Sequence, residues 1–376
     1  MEFRFPIDGD CVNSRDGTVK DGVLWLDVSV CAPAGHDISV NGILAAYDGG
    51  LYHTSVPVYG YRNSLLAADH TDGTKCRIAV FSLPDAVGRF RLSSDDNILF
   101  LADITAHADT YTSIFDNPYL ALYKKAHERY GAKVHLNLFY EYIPTGTFSD
   151  PGRAYFNLSM MTDRFREEFT ANSGWLKLAF HARSEFPDRP YQHASAGTIT
   201  EDCARVCREI IRFAGPACIS NTTTVHWGEA NRECVRALRS LGFRTLTGYF
   251  DRMTDGTPLV AYYTDGALLD HIYGRDFWMD TEEDMLFGRI DLVLNSGTYD
   301  RVMQQIAEIT ADPHRGGFVS VMIHEQYFYA DYRNYLSDYT DRVLDVCAFL
   351  QEKGYTGAHI CDVTAERDLR EHPLFQ

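Results

Sequence analysis

A chain of 376 residues, 45% hydrophobic and 13% aromatic, is globular in composition and long enough for two domains. Its net charge of −17 argues against nucleic acid or an anionic membrane surface as partner and suits a neutral or cationic substrate. No stretch approaches ~20 apolar residues, so no membrane span is expected. The N-terminus, Met1 to Pro6, has no apolar run of signal-peptide length. The nine cysteines are odd in number and form no CxxC pair, which reads as reduced thiols in a cytoplasmic protein.

Up to about residue 88 the pattern is all-β. Val23 to Val30 alternates as a strand. Asp37-Ile38-Ser39-Val40 runs into Asn41-Gly42, a strong hairpin signal because both residues tolerate positive φ. Asp48-Gly49-Gly50 is a second turn before Leu51 to Val58, and strands at 63–68 and 76–81 follow. Short strands punctuated by turns predict a β-sandwich over 1–87. The stretch from Ala32-Pro33-Ala34-Gly35 to Asp48-Gly49-Gly50 resembles the small immunoglobulin-like modules attached to bacterial carbohydrate-active proteins.

From residue 88 strands and helices alternate. Phe90 and Leu92 mark a strand that stops at Asp95-Asp96. Tyr119 to Tyr130 is an amphipathic helix ended by Gly131, and Lys133 to Tyr140 is a strand. The pattern then predicts a helix from Phe156 to Ala171 and a strand from Trp175 to Phe180. A helix from Thr200 to Phe213 follows, with Thr200 as N-cap and Cys203 and Cys207 on its buried face. Next come a strand from Ile219 to Val225, a helix from Ala230 to Leu241 and a strand from Thr245 to Tyr249. Residues 250–300 interrupt the rhythm as an inserted subdomain with hairpin character, at Leu259 to Tyr263 and Ile290 to Leu294. Phe318 to Ile323 is a nearly all-apolar strand, and Asp338 to Lys353 is the last long helix. This order implies parallel strands with crossover helices. No Gly-rich loop follows any strand, which favours a barrel or partial barrel over an open nucleotide-binding sheet.

In such folds chemistry collects at the C-terminal ends of strands. The Asp95-Asp96 pair crowds two carboxylates into a small volume, which a cation or a shared proton would relieve; a solvated aspartate turn is the plainer alternative. His181, His226 (in His226-Trp227-Gly228) and His324 (in His324-Glu325) each follow a strand. One such histidine can simply cap a hydrogen-bond network, but three behind an Asp pair point to a metal site. Asp103, His107 and Asp109 read as a polar loop before a helix. Ser113, Ser184 and Ser296 lack a Gly-x-Ser-x-Gly setting, which argues against a serine hydrolase.

The ordered set Ser94-Asp95-Asp96-Asn97, Phe180-His181, Val225-His226-Trp227-Gly228 and Val321-Met322-Ile323-His324 resembles the polysaccharide deacetylase (NodB-like) family. The resemblance implies a distorted (β/α)7-type barrel over 88–376, behind the small all-β sandwich. It implies Asp95 as general base, His324 as general acid, and Asp96 and His181 as metal ligands. The family's second histidine is replaced by Glu185 here, so His193 is the expected third ligand, with Glu185 and His226 as the alternatives. The family's third-motif arginine is missing; Thr223 or Thr224 stands near its place. His226, Trp227 and Glu325 are expected to bind substrate, with Glu325 either orienting His324 or standing as a solvated carboxylate, and Tyr327, Phe328 and Tyr329 could add a stacking rim. The implied cofactor is a divalent metal (Zn, or Ni, Co or Fe). The implied activity is removal of N-acetyl groups from an amino sugar or polysaccharide, with the oligomeric state open. Two other readings remain: a glycoside hydrolase pairing Asp95 with Glu325 or Glu229, and a non-catalytic carbohydrate-binding protein.

Overall fold

The structure, a computed structural model, describes residues 1–364; the expected second region, 88–376, therefore ends partly outside the described residues. Two mostly antiparallel five-stranded sheets occupy the N-terminal part. One is built on Val23–Cys31, flanked by Glu2–Phe5, Gly17–Lys20 and Leu51–Val58. The other is built on Arg62–Asp69 and Lys75–Ser82. Val23–Cys31 alternates in burial, and its inward Leu26, Val28 and Val30 pack with Val40, Val56, Leu65 and Val80. The Asn41-Gly42 turn is present: both residues have positive φ (48° and 82°), and Val40 pairs with Ile43 across it. Trp278 donates its indole N–H to the Asp8 carbonyl (2.8 Å), and Arg275 pairs with Asp16 (2.6 Å). These contacts tie the sheets to the α/β part.

In the α/β part, Leu176–Ala182, Val134–Phe139, Arg89–Asn97, Phe318–His324 and Leu292–Val293 lie side by side in that order, all parallel. A second sheet holds Thr222–Thr223, Thr245–Gly248 and Met285–Arg289 in parallel, with Phe277–Asp280 antiparallel at its edge. The strands thus form two sheets and not one closed ladder. On one side only a single Leu178–Ile219 bridge joins them. On the other the chain passes directly from one sheet to the next, where Ile290 N–H reaches Gly248 O (2.7 Å) and Asp291 N–H reaches Ser320 O (2.8 Å). The gap has a local cause. The expected strand from Ile219 to Val225 shrinks to two residues between a turn at Pro216–Cys218 and another at His226–Gly228.

Other differences are equally local. Phe156 to Ala171 is not one helix: Phe156–Asn157 pairs with Glu141–Tyr142, and only Arg166–Ala171 is α-helical. The next helix starts earlier than expected, at Ala196–Ala214, capped by the Ser195 side chain on Thr198 N–H. Part of the region at 250–300 belongs to the parallel sheet through Met285–Arg289. Pro118–Tyr130 and Tyr339–Glu352 are helices as expected, the first closed by left-handed Gly131 (φ 67°). All nine cysteines are free, and Cys203 and Cys207 lie 4.0 Å apart on the buried face of their helix. No helix among the described residues is long and apolar enough to cross a membrane.

Candidate metal centre and active site

Arg89–Asn97 is buried along nearly its whole length, as a strand covered on both faces should be. Phe90 and Leu92 join the apolar core, while Arg91, Ser93 and Asp95 share the other face. Between Ser94 and Asn97 the register against Val134–Phe139 shifts: Ser94 opposes Leu136, but Asn97 opposes Leu138. This is a bulge, in which Asp95 and Asp96 together face one partner residue. Asp96 takes left-handed backbone (φ 62°), which a short polar side chain tolerates better than most. Asn97 locks the bulge by donating to Ser94 O (2.7 Å) and Asn137 O (3.1 Å), while its own oxygen accepts from Tyr119 (2.7 Å). The bulge gives the two neighbouring carboxylates different surroundings.

Asp96 meets two histidines. Its Oδ1 lies 3.0 Å from His181 Nε2 and 3.3 Å from His226 Nδ1, and those two nitrogens are 3.1 Å apart. His181 Nδ1 faces Thr224 O at 2.5 Å, and His226 Nε2 faces Glu185 O at 3.0 Å. A carbonyl accepts only, so each ring carries its proton on the far nitrogen and turns a lone pair toward Asp96. One carboxylate oxygen and two imidazole lone pairs converging on one point repel each other unless a cation sits among them. Ligands about 2.0–2.1 Å from a tetrahedral Zn²⁺ stand roughly 3.3 Å apart, close to the spacing here, so the donor set fits a divalent metal. Backbone carbonyls that fix the tautomers are the usual support for such ligands.

Where no cation lies among these atoms, a proton on a facing nitrogen relieves the same repulsion, and carboxylate and imidazole then pair as hydrogen-bonded ions. Burial alone would raise the Asp96 carboxyl, but its bonds to His181 and His226 and the neighbouring His324 hold it well below the usual carboxylate range. Burial opposes charge on His181, yet the bond to Asp96 lifts it above the ordinary histidine value. Gln326 adds an amide N–H to Asp96 Oδ2 (3.0 Å), a contact with no signal in the sequence.

His226, and not the expected His193, completes with Asp96 and His181 the cluster that could hold a metal ion, a correction to the first expectation. Tyr191, wholly buried, bridges to Ala230 and donates its hydroxyl to Asp202 (3.0 Å). That anchor fixes the chain just before the Ala196–Ala214 helix and leaves His193 exposed, outside the cluster. His226 arrives through a tight turn in which Trp227 and Gly228 both have positive φ (64° and 55°). A Cβ at position 228 would collide with Val260, so the turn requires glycine.

Asp95 points to a buried polar network. Asn137 Nδ2 donates to Asp95 Oδ1 (2.6 Å), while Asn137 Oδ1 accepts from His135 (3.0 Å) and Thr223 (3.4 Å). Because its oxygen is taken, the amide presents its NH₂ to Asp95. Arg91, completely buried, reaches Thr247 and Ser320 at 3.4 Å each; its Nε and Nη2 have no protein hydrogen-bond partner. Burial draws its guanidinium down to about 10 while the charge of Asp95 works the other way. A buried cation near Asp95 thus comes from the same strand, four residues upstream. His324 stands beside Asp95 in register. Its Nδ1 lies 2.9 Å from Asn295 Oδ1, which leaves Nε2 facing Asp96 at 4.0 Å.

Glu325 does not orient His324 and does not face the cleft. It is fully buried, and its carboxylate accepts the N–H groups of Ile98 (2.6 Å), Leu99 (2.9 Å) and Phe100 (2.6 Å) at the start of the Leu99–Ala106 helix. It also accepts from Tyr329 (2.8 Å). Three otherwise unpaired N–H groups and the helix dipole account for it. The expected aromatic rim changes for the same reason. Tyr329 is spent on Glu325, and Phe328 packs on Tyr119 and Tyr339. Asp103 accepts from Tyr111 (2.9 Å) and Asn117 (2.7 Å), as a loop anchor does.

Asp95, Asp96, His181, His226 and His324 all line one cleft of about 500 Å³. Trp227, 41% exposed, and Tyr327 line it too, joined by Tyr249 and Tyr332. Burial and the charges of Asp95 and Asp96 keep the Tyr249 hydroxyl protonated.

No family model matches the chain, and no curated protein does. Among solved structures, a peptidoglycan N-acetylglucosamine deacetylase is similar with a TM-score of 0.37 and 9% identity, over 74% of this chain and 88% of that one. A 4-alpha-glucanotransferase from Thermococcus litoralis is similar with a TM-score of 0.44 and 9% identity, over 73% of this chain and 40% of that one.

Proposed function

We propose that the protein is a metal-dependent hydrolase that removes N-acyl groups, N-acetyl in the simplest case, from an amino sugar or polysaccharide. The observation that carries this is the convergence of Asp96 Oδ1, His181 Nε2 and His226 Nδ1 within 3.0–3.3 Å of one another on a cleft that also holds Asp95 and His324. These three residues would hold a divalent ion, which supplies Lewis acidity, acidifying water and polarising an amide carbonyl.

Asp95, oriented by Asn137, takes the proton of the attacking water. The Tyr249 hydroxyl is a donor available to the oxyanion that develops on the amide oxygen. His324, aligned by Asn295, delivers a proton through Nε2 to the departing amine. Trp227 and Tyr327 offer flat apolar faces to a sugar ring, and Asp188, Arg333 and Asn334 offer polar contacts to its hydroxyls. A glycoside hydrolase would need a second carboxylate beside the bond. Of the two candidates for that role, Glu325 is committed to a helix terminus, and Glu229 is not among the residues that line the cleft.

The test is release of free amine from N-acetylated chito-oligosaccharides by Zn²⁺-loaded protein. Amine release should stop on complete removal of the metal by a chelator and return with added Zn²⁺. Amine release that survives full metal removal, or cleavage of the glycosidic bond without amine release, overturns the proposal.

A further inference from the structure

A second cavity, of about 200 Å³, adjoins the first and shares Asp96, Glu185, Phe186 and Gln326 with it. Its walls are different in kind. Ile98, Leu99, Phe139, Tyr142 and Phe148 make it largely apolar. Its polar Glu141 is occupied by Arg183 (2.8 Å) and by the Tyr155 hydroxyl (2.9 Å). Two large apolar side chains on its lining stand in water: Ile143 is 50% exposed and Phe186 47%. A polar cleft and an apolar cavity therefore meet at Asp96, a member of the candidate metal centre.

A substrate cleaved at that point lies across the seam, with one part on each side. The sugar matches the polar cleft with its aromatic rim. The apolar cavity then receives the acyl part. A space of this size holds on the order of ten water-sized groups, far more than the one methyl of an acetyl group.

We infer that the acyl group removed is longer than acetyl: an unbranched aliphatic chain of roughly six to eight carbons, seated against Leu99, Phe139 and Phe148. This rests on the amide-hydrolase reading of the site. The reaction remains a balanced hydrolysis. Water oxygen bonds to the acyl carbon, the C–N bond breaks, and the products are a fatty acid and a free amino sugar. The exposed Ile143 and Phe186 cover the outer end of the chain.

Burying each added methylene is worth roughly a three- to fourfold gain in transition-state binding. The experiment compares kcat/KM for N-acetyl, N-butyryl, N-hexanoyl and N-octanoyl glucosamine, using the full chain loaded with Zn²⁺. The expected result is a rise of at least thirtyfold from acetyl to hexanoyl. In Ile143→Trp, which fills the mouth of the cavity from an exposed position, the hexanoyl-to-acetyl ratio should fall toward one. A flat or falling series on an enzyme that cleaves the acetyl substrate overturns the acyl-chain inference and leaves the amide-hydrolase reading standing. No amine release from any member at full metal occupancy overturns both.

Discussion

Asp95→Asn is expected to lower kcat for the proposed amine release by on the order of 10²–10⁴, with metal content at the wild-type level. The substitution keeps the shape of the side chain and an oxygen for the Asn137 N–H, so the bulge and its register survive. What it removes is the ability to take a proton. Asp96 remains with its histidines, so the two halves of the Asp pair separate in one experiment. Kinetics and elemental analysis on the same sample check it. Loss of metal together with activity would mean that Asp95 is a ligand; retained activity would remove it from the mechanism.

Glu325→Ala has the largest expected effect on stability, about 3–5 kcal/mol, read from the midpoint of urea unfolding. Its carboxylate is shared among three buried backbone N–H groups and the Tyr329 hydroxyl. Each buried donor left unpaired costs roughly 1–3 kcal/mol, and the helix also loses a negative charge at its N-terminus. Glu325→Gln keeps one carbonyl oxygen as acceptor and should fall between the alanine variant and wild type. A residue that binds substrate would behave oppositely, losing activity at unchanged stability. That pattern in the alanine variant would contradict the account of Glu325.

Where a few adjacent residues decide the structure, the sequence was readable. Asn41-Gly42 makes its hairpin, Gly131 closes its helix, and the Asp pair marks the end of its strand. His181, Asp96, Asp95 and His324 line one cleft, as their order after successive strands implied. What could not be read depends on distant contacts. As sequence, His193 is the preferred third ligand over Glu185 and His226; its exclusion from the cluster follows from Tyr191 docking on Ala230 and from the Gly228 turn that brings in His226. Glu325 looks like an exposed acid after a strand, yet the helix beginning 226 residues upstream claims it. Arg91 sits in an alternating strand where arginine normally faces water. Only the second sheet, with Thr247, closes over it and makes it a buried cation near Asp95. The apolar cavity is invisible for the same reason, since its walls come from four separate segments. The break between the two sheets reflects turns at 216–218 and 226–228 that a β-rich composition concealed.

The most direct test of the metal centre is elemental analysis of purified protein after Zn²⁺ loading and desalting, for wild type, His226→Ala and His193→Ala. About one metal ion per chain is expected in wild type and His193→Ala and near none in His226→Ala, because a catalytic site with an open fourth position holds its metal by only three protein ligands and loses one of them in His226→Ala. Full occupancy in His226→Ala, or loss of metal in His193→Ala, would contradict it.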